Sequence, residues 1–320
     1  MELGEFLKRE VSETIAEEIA AHYSSLAMLA FSSPEEVAKA CNIGIRKAQD
    51  ILKAAREAAN VKPITAAELL DQTAEHPKIT TGSQNLDEIL GGGISTGGIT
   101  EFSGSYGTGK TQLAFQLCIT TQLTEDRGGL EGSVYFIDSE GTFSPRRLAE
   151  MVVFGGYDSN PKKFLGNVIV SRALNASHQV LLVEEADKLI KSKNIKLIVV
   201  DSVAAHFRVE FTGQKEIPRR QQILMRWADT LRQYVDSYGI GVMITNQVIA
   251  NPDALLSSDS LEPALGYAWG HRPTHRVLLR KSRGSARIAR VFDSPELAER
   301  EAVFFITTGG IRDRPDTDYY

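Results

Sequence analysis

From residue 79 to residue 307 the chain alternates short apolar runs with stretches of helical periodicity. The runs 134–138, 168–171, 197–201 and 241–245 are short and mostly apolar and read as buried strands, and 99–102, just ahead of a glycine-rich segment, reads as a further strand. Helix-period segments lie between them, 112–123 being the clearest, and that alternation predicts a doubly wound α/β core with a mostly parallel sheet. Three later runs, 276–280, 288–292 and 302–307, follow one another across short turns and predict an antiparallel extension of the sheet. Two polar segments interrupt the alternation, 205–220 and 248–271, and both read as long loops.

Residues 1–60 carry only helical signals. Ser33, Pro34 and Glu36 spell a helix start, with Ser33 as N-cap, Pro34 at the first helical position and Glu36 completing a capping box. A turn at 41–45 containing Gly44 leads into a second helix, 46–59, with Ala48, Ile51, Leu52 and Ala55 on one face. Helix, glycine turn, helix outlines a helix-hairpin-helix, in which turn N–H groups approach a DNA phosphate and Arg46 and Lys47 could assist. A small helical bundle making only protein contacts stays open beside it. Residues 61–78, with two prolines and a short polar helix, read as a linker and contain Ile64 and Ala67, by themselves one side of a helix turn. The expected division is 1–60, 61–78 and 79–320.

Composition narrows the class. A 320-residue chain with 42% hydrophobic content can bury a large core. It has no apolar run of membrane-spanning length, and its first residues are charged, so a cytoplasmic protein without a membrane partner is expected. Cys41 and Cys118 lack metal-ligand spacing and read as buried thiols. A net charge of −5 disfavours coating nucleic acid by bulk electrostatics. Locally, however, residues 271–290 hold Arg272, Arg276, Arg280, Lys281, Arg283, Arg287 and Arg290 without an acid, which is compatible with an anionic polymer nearby.

The densest chemistry is Gly104-Ser105-Tyr106-Gly107-Thr108-Gly109-Lys110-Thr111, between a strand and a helix. Glycines let backbone N–H groups close around phosphates, Lys110 adds a mobile charge, and Thr111 offers a hydroxyl to Mg²⁺ at a helix N-terminus that favours anions. Asp201, ending the run 197–201, is the natural second metal-side group. Glu140, just past the end of 134–138, could polarise a water against the γ-phosphate, with Asp138 its rival but more plausibly structural. Gln247 places a neutral amide on the same rim, either sensing the γ-phosphate or simply capping. In 205–220, His206, Arg208, Phe211, Lys215, Arg219 and Arg220 suit a single strand, cations following phosphates and rings meeting bases; a solvated surface is the alternative.

At this point the residues match a family. The chain resembles the archaeal RadA recombinases and their eukaryotic relatives, RecA-type proteins that polymerise on single-stranded DNA and pair it with a homologous duplex. The resemblance rests on Ile79-Thr80-Thr81-Gly82-Ser83, Leu90-Gly91-Gly92-Gly93-Ile94, the phosphate loop continued into Gln112, residues 135–143 and 202–208, and Arg220-Gln221-Gln222. It continues through Thr245-Asn246-Gln247-Val248, Leu279-Arg280-Lys281 and Phe292-Asp293-Ser294-Pro295. It implies a RecA-like P-loop ATPase core with a small all-α helix-hairpin-helix domain before it.

By that resemblance ATP contacts run from Gly104 to Gln112, with a cation from Arg147. Thr111 and Asp201 hold Mg²⁺, Glu140 is the catalytic carboxylate, and Gln247 links nucleotide to the second DNA loop. Asp293 and Pro295 belong to the segment capping the neighbouring subunit's ATP, near monovalent-cation sites that implicate K⁺. His271 stands near the γ-phosphate; Arg208 and Arg220 match basic positions of the first DNA loop, where a family arginine is replaced near Gln214 with Lys215 beside it, and Arg219 adjoins them. Ile64 and Ala67 occupy the oligomerisation motif, where the family has phenylalanine first. Leu265-Gly266 stands where the family has paired glycines. The expected function is an ATP-dependent recombinase on single- and double-stranded DNA, self-assembled as a filament or ring, nucleoid-associated and open to recombination mediators. The alternative is a RadA-like paralogue that is itself an ATP-dependent mediator loading another recombinase.

Overall fold

The computed structural model describes residues 2–74, 76–250 and 261–316. The chain separates into two compact units, residues 1–75 with 236–238, and residues 76–235 with 239–320.

In the first unit the helices Leu3–Glu10, Glu13–His22, Leu26–Phe31, Pro34–Ala40 and Ile45–Ala58 enclose a core that includes Phe6, Leu7, Ile19, Leu29, Val37 and Leu52. The capping box forms as its residues dictate: the Glu36 N–H donates to Ser33 Oγ at 3.2 Å, and the Ser33 N–H to Glu36 Oε2 at 3.0 Å. Ala48, Ile51, Leu52 and Ala55 all face that core, and Arg46 and Lys47 stand exposed at the start of the helix. A second capping pair, Thr65 and Glu68, opens the helix Ala66–Ala74. Ile64 precedes it at 36% exposure, and Leu69 and Leu70 are more exposed still.

The second unit is built on one nine-stranded sheet. Its strands are β1 (Ile99–Gly104), β2 (Ser133–Asp138), β3 (Val168–Arg172), β4 (Ile195–Asp201), β5 (Gly241–Asn246), β6 (His275–Lys281), β7 (Ala286–Asp293), β8 (Glu301–Thr307) and β9 (Gly310–Arg312). They lie in the order β9-β8-β7-β6-β1-β5-β4-β2-β3. β1 and β5 are buried along their whole length, polar Thr100, Glu101, Ser103, Thr245 and Asn246 included, as central parallel strands are. The antiparallel extension forms, but β6 belongs to both halves, pairing parallel to β1 and antiparallel to β7. Because β1, β2, β4 and β5 are mutually parallel, directly or through a neighbour, their C-terminal ends share one rim.

The helix after the phosphate loop, α1, runs Lys110–Thr120 and is buried nearly all round. The two expected loops differ from expectation. Segment 205–220 is largely helical: α2 covers Ala204–Glu210, a 3₁₀ turn covers Gln214–Glu216, and α3 runs Ile217–Tyr238. Pro218 in the first turn starts α3, while buried Ala204 and Phe207 hold α2 down. In segment 248–271, the short strands Val248–Ala250 and Leu261–Pro263 pair antiparallel, and a helical turn spans Tyr267–Gly270; the intervening part lies outside the described residues. Among the described residues no helix is long and apolar enough to cross a membrane.

Candidate nucleotide site and its rim

A cleft of about 660 Å³ opens at the rim, lined by Gly104, Ser105, Tyr106, Gly107, Gly109, Lys110, Thr111, Gln112, Glu140, Thr142, Asp201, Gln247, Val248, Arg287 and Ile306. The phosphate loop shapes it locally. Gly109 caps α1 at φ +103°, and a Cβ there would lie 2.7 Å from Ile306 Cδ1. Thr108 is buried and does not line the cleft; its hydroxyl donates to Ser105 O at 2.9 Å, bracing the loop from behind.

Lys110 Nζ donates to Gly104 O at 2.7 Å and Ser105 O at 3.1 Å. Burial lowers its pKa, with Asp201 and Glu140 opposing, so an ammonium held on weak neutral acceptors stands ready for a stronger anionic one. Asp201 is almost wholly buried. Thr111 Oγ1 donates to its Oδ2 at 2.7 Å, and Thr245 Oγ1 donates to Oδ1. Burial pushes its carboxyl above the ordinary range, against those two hydroxyls and Lys110. One hydroxyl and one carboxylate at the mouth of a phosphate loop fit Mg²⁺, which takes few protein oxygens and fills its octahedron with water and phosphate. The described residues contain no cluster of three or more His, Cys, Asp or Glu suited to a metal held by protein alone.

Asp138 is structural, as its place at the strand end predicts. Its carboxylate accepts the backbone N–H groups of Glu140, Gly141, Thr142 and Phe143 at 2.7–3.2 Å, fixing the turn that presents Glu140. Glu140 Oε1 accepts from Ser202 Oγ at 2.8 Å and Gln247 Nε2 at 3.2 Å. Gln247 Oε1 in turn accepts from Arg208 Nη1 of α2 at 2.9 Å. One chain of hydrogen bonds thus joins the carboxylate at the cleft to an exposed arginine outside it. Beside Arg208, Arg220 has its Nε buried without a hydrogen-bond partner. Its pKa is lowered first by burial and then by Arg208. Two adjacent guanidiniums, one partly unsatisfied, favour an anion between them. Lys215 and Arg219 are exposed nearby in sequence; Phe211 stacks on buried Phe207, with ring centroids 6.1 Å apart.

Other expected site residues lie elsewhere. Arg147 is not among the cleft-lining residues: its guanidinium donates to Gln112 Oε1 at 2.8 Å, Thr308 O at 2.7 Å and Thr307 O at 2.6 Å. The helix Pro145–Phe154, capped by Ser144, turns it to the β8–β9 connection instead. Asp293 and His271 line a second cleft of about 610 Å³, with Tyr267, Arg276 and Phe292 among its other walls; exposed Pro295 does not line it. The basic run 271–290 is mostly internally paired, Arg272 with Asp229, Arg276 with Glu101, Arg280 with Glu301 and Arg290 with Glu299. That correction follows from acids distant in sequence, which a local charge count does not see. Leu265 adopts φ +83°. Both cysteines are free and buried.

Sequence reasoning missed Ser202, Thr245, Arg287 and Ile306. The first two lie within segments already noted, without a role assigned to them, so their place there was a usable signal. Arg287 and Ile306 reach the cleft only because β7 and β8 fold back onto β6, which pairs with β1; the sequence marks Arg287 only as part of the basic run, and no local pattern marks Ile306.

Comparison with known proteins agrees with this arrangement. Residues 72–314 match the Rad51 family. The chain is 47% identical over 293 residues to the DNA repair and recombination protein RadA of Aeropyrum pernix, covering 92% of this chain and 91% of that one. It is 44% identical over 294 residues to the protein of the same name from Metallosphaera sedula, covering 92% and 90%. The phosphate loop, the rim carboxylates and these likenesses coincide on one conclusion: the chain belongs to the Rad51 family.

Proposed function

We infer that the protein is an ATP-dependent DNA recombinase, which assembles on single-stranded DNA and exchanges strands with a homologous duplex. The observation that carries it is the hydrogen-bonded chain Ser202–Glu140–Gln247–Arg208, because it joins a hydrolytic carboxylate to a cationic DNA-facing element. Lys110 and the loop N–H groups bind the triphosphate, and Thr111 and Asp201 hold Mg²⁺. The metal, when bound, neutralises charge developing on the phosphates. Glu140, oriented by Ser202 and Gln247, accepts the proton of the attacking water. DNA phosphates drawn to Arg208 and Arg220 compete for the guanidinium that holds Gln247, so DNA binding alters how Glu140 is held. Arg46 and Lys47 offer a second, weaker DNA contact.

In this reading a neighbouring subunit completes the ATP site with His271 and Asp293, the latter also a candidate K⁺ ligand. Assembly uses Ile64 and Ala67. The open edge of the sheet at β3, where Val170, Leu174 and Leu181 are exposed, offers the receiving surface. Identity of 44–47% across nine-tenths of two proteins bearing a recombination name favours the recombinase over the mediator. A strand-exchange assay with wild type and Lys110→Ala tests it: joint molecules form with wild type, ATP and Mg²⁺ and not with the variant. No joint molecules from wild type under any Mg²⁺, K⁺ or Ca²⁺ condition refutes it.

A further inference from the structure

We propose that Glu101 is a positioning residue that ties the chain's own phosphate loop to the face it turns toward a neighbour's ATP. The proposal rests on the shared-site reading above.

Glu101 lies in β1, three residues before Gly104, and is completely buried. Its carboxylate collects three donors from three different elements. Asn246 Nδ2, at the end of β5, donates to Oε1 at 2.6 Å. Trp269 Nε1 donates to the same oxygen at 2.9 Å. Arg276 Nε, in β6, donates to Oε2 at 2.7 Å. Each donor neighbours a group assigned to nucleotide. Asn246 precedes Gln247, and Trp269 stands two residues before His271. Arg276 Nη1 lies 3.6 Å from Asp293 Oδ2, and its guanidinium sits 4.9 Å from the Phe292 ring centroid.

The surroundings are fitted to this arrangement. Trp269 is buried against Trp227, ring centroids 6.0 Å apart. At Gly270 a Cβ would lie 2.9 Å from Arg276 Nη1, so a larger residue would displace the guanidinium. A buried carboxylate needs all its partners, and such a pair commonly adds little stability over an apolar filling of the same volume. What this one supplies is registry. β1, β5, β6 and the Tyr267–Gly270 turn must hold one mutual arrangement for Glu101 to be satisfied, and that arrangement sets where His271 and Asp293 face the neighbour's ATP.

The experiment mixes subunits. Glu101→Gln keeps the shape of the side chain but removes the buried counter-charge at Arg276 Nε, leaving Arg276 the more distant and exposed Asp293 carboxylate. Alone, with saturating single-stranded DNA, it should turn over ATP about tenfold more slowly, since sub-ångström to ångström misplacement costs one to two orders of magnitude. Its nucleotide Kd, read with a fluorescent ATP analogue, should stay within about twofold, because its own loop is intact. Lys110→Ala subunits, inactive themselves, still present an intact His271–Asp293 face, so adding them should restore turnover to the Glu101→Gln loops. A variant that had lost its fold could not be rescued this way. Asp293→Ala mixed with Lys110→Ala is the control. Normal turnover by Glu101→Gln overturns the proposal, as does failure of rescue where Asp293→Ala is rescued. Failure of both pairs removes the shared site, and the proposal with it. If Glu101→Gln does not fold by thermal denaturation, Trp269→Phe, which deletes one donor and keeps an aromatic ring, though a smaller one, must show the same slow-and-rescued pattern at a few-fold amplitude; its absence is equally decisive.

Discussion

Replacing Asp138 by alanine removes the anchor beneath Glu140 without touching nucleotide. The carboxylate is 5% exposed and accepts four backbone N–H groups, of which Gly141 at 2.7 Å and Phe143 at 3.0 Å are the best formed. Hydrogen bonds to a charged acceptor contribute about 1.5–3 kcal/mol each. The four share one carboxylate and are not additive, and the freed N–H groups can recover some hydration at the cleft. A loss of about 3 kcal/mol is therefore expected, or roughly 6–12 °C in Tm for a unit of this size. The functional effect is separable from the loss of stability. With the turn slack, Glu140 departs from its bonds to Ser202 and Gln247, and turnover should fall about a hundredfold. KM should hold within about twofold, since Lys110 and Thr111 are untouched. Urea unfolding and DNA-stimulated ATP hydrolysis, measured well below the variant's Tm, check both. Stability within about 0.5 kcal/mol of wild type together with unchanged turnover would refute the reasoning. Asp138→Asn keeps one acceptor but turns an amide toward the Phe143 N–H, and should lie between the two.

Three further outcomes follow from the same structure. Arg147→Ala should lose about 2 kcal/mol of stability by urea unfolding, from three bonds made by a mostly buried guanidinium, while its KM for ATP changes less than about threefold; a KM rise of about a hundredfold would return Arg147 to the nucleotide. Leu265→Gly relieves a left-handed φ worth about 1 kcal/mol but removes a buried side chain worth about 2–5 kcal/mol, so a net loss of about 2 kcal/mol is expected in urea, and a gain would show that strain dominates. His275 has its pKa pushed below the ordinary 6.5 by burial, against Glu296. The unfolded chain therefore binds the proton more readily, and this histidine's contribution is present above about pH 6.5 and lost as pH falls through its lower folded value. His275→Gln should flatten the fall in the urea midpoint between about pH 7.5 and 5.5, and a parallel slope in variant and wild type would assign that fall to other groups.

The sequence by itself determined the strands of the central sheet and the helix that follows the phosphate loop, because apolar runs and 3.6-residue periodicity leave few alternatives there. It also placed the phosphate loop and Asp201 on one rim, since Gly104 to Thr111 is one contiguous segment and Asp201 ends a strand parallel to the one before that loop. Asp138 and Glu140 could be told apart from position alone, one at the strand end and the other in the turn beyond it. Only the tertiary structure decided the rest. Segment 205–220 read as loop because its charges hide a helical register that packing of Ala204 and Phe207 makes visible. The arginines of 271–290 read as a patch because their acids, from Glu101 to Glu301, come from other segments. Arg147 reads as a nucleotide cation by resemblance to the family, and nothing local reveals that the β8–β9 connection takes two of its hydrogen bonds. Glu101 itself is silent in the pattern, a single acid in a short mixed strand, Ile99-Thr100-Glu101-Phe102. A period reports which face of an element is buried, but the partner of a buried charge is chosen by strand order, and strand order is a property of the folded sheet.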